Sequence, residues 1–170
     1  MKWLDSKITH YHTPEISREQ CLRPNEVGAY LTGYVDGEGC FCVSVNRSRR
    51  HRFGWEIRPS FSVSQNRDRA EVLRIFQQRF QCGTIRPDRS DQTLKYEVRS
   101  VRELNERVMP HFQRYPLLSS KREVYAAFAH VCTLMAQGAH LNGTGLQRIL
   151  QLASRINAGK KKFPRLEIKL

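Results

Sequence analysis

Acidic residues are scarce in this chain. Its 170 residues include 16 Asp+Glu against 29 Lys+Arg, a formal charge of +13 with a pI near 10.0. So large an excess of cations points to a polyanionic partner, most often nucleic acid, because neutralised phosphates release counterions. The alternative is a basic surface of the ribosomal or solubility-driven kind. Cysteines are few and make no CxxC pair: Cys21, Cys40, Cys42, Cys82 and Cys132 are odd in number. Cys40 and Cys42 fall in an alternating segment, where positions i and i+2 point the same way. A reducing compartment therefore fits better than a disulfide framework. The histidines (His10, His12, His51, His111, His130, His140) show no HExxH or Cys/His finger spacing, which speaks against zinc. No apolar run approaches the length of a membrane span, and no signal-type apolar core opens the chain. A soluble, intracellular protein is expected.

What remains is ordinary material for one domain. The chain is 39% hydrophobic and 26% charged at 19.9 kDa, enough to bury a core. Residues 1–23 mix His, Tyr, Pro and charge without a sustained period, and are expected to form an N-terminal extension, packed on the domain or loose. The domain is expected over 24–170. Pro24-Asn25 suits a helix start, and Val27, Leu31, Tyr34 and Val35 make its buried stripe.

From Cys40 the period changes to two. Phe41, Val43 and Val45 take one face; Cys42, Ser44, Asn46 and Ser48 take the other. A basic loop, Arg47 to Arg52, leads to a second strand with Trp55, Ile57, Phe61 and Val63 inward. Glu56, Arg58, Ser60, Ser62 and Ser64 point outward. Pro59 predicts an edge or a bulge there. A helix is expected from Asp68, with Val72, Ile75, Phe76 and Phe80 on its stripe. Two further strands follow, Cys82–Arg86 and Leu94–Arg99. They segregate Ile85, Tyr96 and Val98 from Thr84, Arg86, Lys95, Glu97 and Arg99. Three helices close the chain: Val101–Phe112, Ser119–Met135 and roughly Thr144–Asn157. Gly159 and Lys160 to Lys162 end the last of them, where cations suit either the helix dipole or a phosphate backbone.

The resulting order, α-β-β-α-β-β-α-α-α, predicts an α+β fold: a curved antiparallel sheet covered by helices on one side. Its open face carries Ser44, Asn46, Arg58, Ser60, Ser62, Arg86, Lys95, Glu97 and Arg99. These are candidate base and phosphate contacts, since Arg suits guanine and phosphate while Ser and Asn donate or accept. An ordinary solvated sheet face is the alternative.

The stretch Leu31-Thr32-Gly33-Tyr34-Val35-Asp36-Gly37-Glu38-Gly39 stands at the centre of this arrangement. Ala29, Gly33 and Gly37 recur every fourth position, so one helix face is nearly bare and a second backbone can approach it. Two acids end the same helix. The alternative is a glycine-capped terminus with two solvated acids.

This nonapeptide resembles the motif of the LAGLIDADG homing endonucleases, DNA-cleaving proteins encoded in introns and inteins. Thr stands for the small second residue and Glu for the second acid. The α-β-β-α-β-β-α order matches that family's core over roughly residues 24–136. The helices beyond resemble members encoded in group I introns of organelles and bacteria.

The resemblance implies a site-specific double-strand DNA endonuclease that uses Mg²⁺, with Mn²⁺ or Ca²⁺ as substitutes. It implies a reducing, DNA-containing compartment, an organelle or the bacterial cytoplasm. Glu38 matches the metal-binding acid, and the Gly37 carbonyl is a second ligand. Asp36 is expected to cap and orient paired helices, with direct ligation as the alternative. Gln65, Arg69 and Lys121 match polar residues that order water and the scissile phosphate. Only one motif copy is present, and single-motif members are homodimers. A twofold pairing through Ala29, Gly33, Asp36 and Gly37 would bring two Glu38 residues to the axis. The paired sheets would span a pseudo-palindromic duplex. A maturase or DNA-binding regulator without cleavage is the second reading, and a basic RNA-binding structural protein the third.

Overall fold

The first described helix, α1, spans Pro24–Glu38. The computed structural model describes residues 23–88 and 92–157. The expected N-terminal extension, apart from Arg23, and the Gly159–Lys162 segment lie outside the described residues. Proline at the first helical position gives up no hydrogen bond, and Glu26 reaches back to accept the Arg23 backbone N–H at 2.7 Å. Strand β1, Gly39–Arg47, begins at the residue after the helix, with no loop between them. That junction needs glycine. A Cβ on Gly39 would lie 2.5 Å from Val35 Cγ1 and 2.8 Å from the Val35 carbonyl oxygen.

Strand β2, Trp55–Asn66, pairs antiparallel with β1 in unbroken register from Gly39↔Val63 to Arg47↔Trp55. Strands β3, Thr84–Pro87, and β4, Thr93–Val98, complete a sheet ordered β1-β2-β4-β3. Because β4 meets β2 only over Phe61–Asn66, the half of β2 that holds Pro59 has β1 as its sole strand neighbour among the described residues. The proline sits on a local edge without a bulge, where a missing donor is tolerated.

Phe41, Val43, Phe61, Val63, Tyr96 and Val98 turn to the helical side and are buried. The Phe61 ring lies between 5.2 and 6.4 Å, centroid to centroid, from Phe41, Phe76, Phe80, Tyr96 and Phe112. An aromatic of this size contributes roughly 1.5–3 kcal/mol by leaving water, so this cluster anchors the sheet to the helices.

Several helix boundaries differ from those expected. A 3₁₀ turn, Arg67–Arg69, precedes helix α2, Glu71–Phe80. Ile75 is 36% exposed at the margin of its stripe, and Leu73, fully buried, takes the inward place. The expected helix Val101–Phe112 is three pieces: α3, Val101–Glu103, a π turn, Leu104–Val108, and α4, Met109–Arg114. Pro110 has no N–H to offer Glu106, and the ladder widens so that Met109 N–H donates to Leu104 O. Helix α5 spans Lys121–Ala136, and α6 spans Gly143–Ile156. Asn142 caps α6 by accepting the Gly145 N–H at 2.7 Å. Asn157 Nδ2 donates to Val43 O at 2.6 Å and ties the end of α6 to β1.

Candidate nucleic-acid interface and metal site

All four polar residues singled out around the nonapeptide lie about the C-terminal end of α1. Glu38, its last residue, is exposed. Lys121, the first residue of α5, extends its ammonium to the same helix end, donating to Val35 O at 2.7 Å, Gly39 O at 2.8 Å and Gly37 O at 3.5 Å. Val35 O also accepts the Gly39 N–H that closes the helix, and a cation at this end complements the helix dipole. Burial pulls the Lys121 ammonium below its ordinary 10.5, against the opposing pull of Asp36, Cys40 and Glu38. The lysine is therefore a helix cap that also carries positive charge beside Glu38.

On the β2 side, Gln65 Nε2 donates to the Tyr34 hydroxyl, and Gln65 Oε1 accepts the Asn66 N–H at 2.7 Å. Both ends of the amide are thus held. Tyr34 feels the charges of Glu38 and Arg69, which places all of these groups in one neighbourhood. Burial raises the phenol above its ordinary 10.0; the Gln65 hydrogen bond and Arg69 act the other way, and Glu38 adds to the rise. Arg69 itself is exposed and only loosely paired, at 3.9 Å from Asp68. The sequence pattern assigned Tyr34 to the buried stripe, and its ring does pack edge-on against Phe76. Its hydroxyl role was missed because a stripe pattern registers the ring and not the oxygen at its end.

Asp36 does something different from Glu38. Its Oδ2 accepts the Leu118 N–H at 2.9 Å and the Ser119 N–H at 3.3 Å, and its Oδ1 accepts the Ser119 hydroxyl at 2.6 Å. Burial would raise its carboxyl; these three hydrogen bonds, with Lys121, outweigh that and hold it below the ordinary 3.8. Asp36 thus ties the end of α1 to the turn before α5 within the chain.

Ala29, Gly33 and Gly37 face outward. A Cβ added at Gly33 or Gly37 would meet nothing within 4 Å, so this face of α1 is uncovered by the described residues. Tyr30, 46% exposed, stands beside it.

Among the described residues no group of three or more His, Cys, Asp or Glu side chains is assembled for an ion. One exposed carboxylate and neighbouring main-chain carbonyls are hard oxygen donors. That set fits Mg²⁺, which keeps several waters and takes one or two carboxylates with phosphate oxygens. It does not fit zinc.

The outward sheet face forms a groove of about 350 Å³ holding Ser44, Asn46, Arg58, Ser60, Ser62, Arg86, Lys95, Glu97 and Arg99, with Cys40 and Cys42. Its members differ in reach. Ser44, Asn46, Arg58 and Arg99 are exposed, whereas Ser62 is 9% exposed and the Glu97 side chain 10%, so these two lie on the floor. Each acid of this face holds a cation: Glu56–Arg58 at 2.8 Å, Asp88–Lys95 at 3.0 Å, and Glu97 with Arg86 and Arg99, both at 3.0 Å. No helix of the described residues is long and apolar enough to cross a membrane.

The family model described as LAGLIDADG endonuclease matches residues 31–132. The "Probable intron-encoded endonuclease 2" of Neurospora crassa is 28% identical over 165 residues, covering 94% of this chain and 36% of the relative. "DNA endonuclease I-CeuI" of Chlamydomonas moewusii is 26% identical over 133 residues, covering 78% of this chain and 60% of that protein. Among solved structures, the crystal structure of the homing endonuclease I-TnaI matches with a TM-score of 0.73 at 32% identity, covering 82% of this chain and 90% of the other. I-SmaMI, bound to an uncleaved DNA target in the presence of calcium ions, matches with a TM-score of 0.75 at 28% identity, covering 84% of this chain and 52% of the other. The chain thus spans about a third of the Neurospora relative and about half of I-SmaMI.

Proposed function

Because the chain belongs to the LAGLIDADG endonuclease family, we propose that it is a site-specific double-strand DNA endonuclease acting as a homodimer on a long pseudo-palindromic site. The observation that carries this reading is the gathering of Glu38, Gln65, Arg69 and Lys121 at one end of a helix whose glycine face is bare. One chain supplies one such acid and one basic sheet. Cutting two strands takes two of each, and a second copy against Gly33 and Gly37 provides them.

Glu38 and the Gly37 carbonyl would hold a divalent cation, Mg²⁺ being the natural choice. Such a cation supplies Lewis acidity toward the scissile phosphate and a water of lowered pKa. The protein's own groups do the rest. Lys121 keeps Gly37, Gly39 and Val35 carbonyls in place and adds positive charge near the phosphate. Arg69, exposed and nearly unpaired, meets a phosphate oxygen. Gln65, clamped by Tyr34 and the Asn66 N–H, keeps one amide hydrogen to orient water. Asp36 holds the turn that carries Lys121. The outward sheet residues contact bases and backbone, and a reducing, DNA-containing compartment suits both the odd number of cysteines and the substrate.

Selection tests the proposal directly. The full chain is incubated with a randomised duplex library and Mg²⁺, and the cut ends are sequenced. A related set of sites cut on both strands is expected, with loss of cutting in Glu38→Gln and retention of binding. Binding to specific duplexes without any cutting by the unaltered protein would favour the non-cleaving regulator or maturase. Intact cutting by the Glu38→Gln variant would overturn the metal assignment.

A further inference from the structure

Acids on a face built for a polyanion call for a physical reason, because each one repels the phosphates that supply most of the affinity. Glu97 is the sharpest case. Its side chain is 10% exposed on the groove floor, in the middle of the sheet face. A single oxygen, Oε2, accepts Arg86 Nε at 3.3 Å and Arg86 Nη2 at 3.0 Å, and lies 3.0 Å from Arg99 Nε. Arg86 is on β3, and Arg99 follows directly after the end of β4. Arg86 is opposite Lys95, two residues before Glu97, and Arg99 lies two residues after it.

The consequence follows from guanidinium geometry. An arginine has five donors in a planar fork. Arg86 uses Nε and one hydrogen of Nη2 on Glu97, and Arg99 approaches it through Nε, which leaves the outer Nη edge of each guanidinium off the carboxylate; their side chains are 39% and 62% exposed. An end-on fork is the group that pairs with O6 and N7 of guanine in the major groove. An arginine already held in one orientation also loses less rotamer freedom on binding. Arg49 and Arg50 form a contrast at the exposed tip of the β1–β2 hairpin. They enter no ion pair with the described residues and suit mobile phosphate contact.

We propose that Glu97 sets Arg86 and Arg99 as a pair of guanine readers, so that each half-site carries two guanines beneath the centre of the sheet. At these positions the protein discriminates most sharply. The inference rests on the reading of this face as the DNA surface, but not on cleavage.

The test uses the full chain, a randomised duplex library and Ca²⁺ in place of Mg²⁺, with sequencing of bound duplexes. Two guanine positions are expected in each half-site. Arg86→Lys and Arg99→Lys keep the charge and lose the fork, so each should flatten one guanine position by roughly five- to a hundredfold in preference and leave the other. Glu97→Gln, nearly isosteric, should lower preference at both together and narrow the ratio between the best and a random duplex. Thermal unfolding of each variant checks that the fold is retained. The proposal is overturned if no guanine positions appear in an otherwise defined site, or if either lysine variant weakens all sequences equally. It is also overturned if Glu97→Gln leaves both positions at full height. Absence of any enriched sequence with the unaltered protein would instead sink the DNA-surface reading itself.

Discussion

His111 shows how single residues carry the chemistry of this core. It is 7% exposed in α4, and its Nε2 lies 3.2 Å from Thr32 Oγ1. The Thr32 hydroxyl spends its one hydrogen on Tyr115 O at 3.0 Å, so the imidazole must donate to the hydroxyl oxygen. Nδ1 is buried with no hydrogen-bond partner. The ring is therefore the neutral Nε2–H tautomer. Burial, with Arg79 adding to it, pulls His111 from 6.5 down to about 4. Between these values the unfolded chain binds a proton that the folded chain refuses, so stability is full above pH 6.5 and falls as pH drops toward 4. The loss should approach about 3 kcal/mol. Denaturant unfolding across pH 4–7 reads this slope, and His111→Gln, which can donate to Thr32 without titrating, should remove most of it.

At the scale of elements, α1 has two small-residue faces in opposite surroundings. Gly28 is buried, and a Cβ there would lie 2.5 Å from the Tyr115 ring, whose hydroxyl is itself held by Asn25 Oδ1 at 3.0 Å. Gly33 on the other face meets nothing. Gly28→Ala should therefore destabilise the chain by about 1–3 kcal/mol through overpacking, outweighing its gain in helix propensity. Gly33→Ala, with open space and the same gain, should stabilise an isolated subunit by about 0.5–1 kcal/mol. Unfolding midpoints of the two variants at concentrations below self-association separate the faces. Equal effects would show that the bare face is covered.

For the whole molecule, charge and symmetry pull in different directions. Each copy carries +13, so in the proposed dimer pairing along α1 would bring like charges together and binding a duplex would relieve them. Salt screens both effects. Self-association should strengthen as salt rises, while DNA affinity falls steeply. Sedimentation should give twice the 19.9 kDa chain mass at high salt, and Gly33→Trp, with its side chain in the contact, should give the single-chain mass with the fold intact. A Gly33→Trp protein that still sediments as a pair would place the interface elsewhere.

Much of this was legible in the residues alone. Period-two alternation after Cys40 separated the buried Phe41, Val43, Phe61 and Val63 from the polar face, because strand side chains alternate whatever covers them. The nonapeptide located α1, the acids and the bare glycine face. Other features depended on contacts between segments distant in the chain, which no local pattern encodes. The partners of Asp36 are more than eighty residues away, Lys121 caps a helix it does not belong to, and Tyr34 meets Gln65 across the α1–β2 contact. The outward turn of Ile75 likewise reflects how α2 seats on the sheet, whereas the π turn before Pro110 answers to the proline itself. The sequence by itself determined which groups are present and which face of each element they occupy, since backbone periodicity sets that locally. Only the tertiary structure decided which carboxylate is spent inside the chain and which is left exposed, because hydrogen-bond partners and burial are properties of the assembled fold.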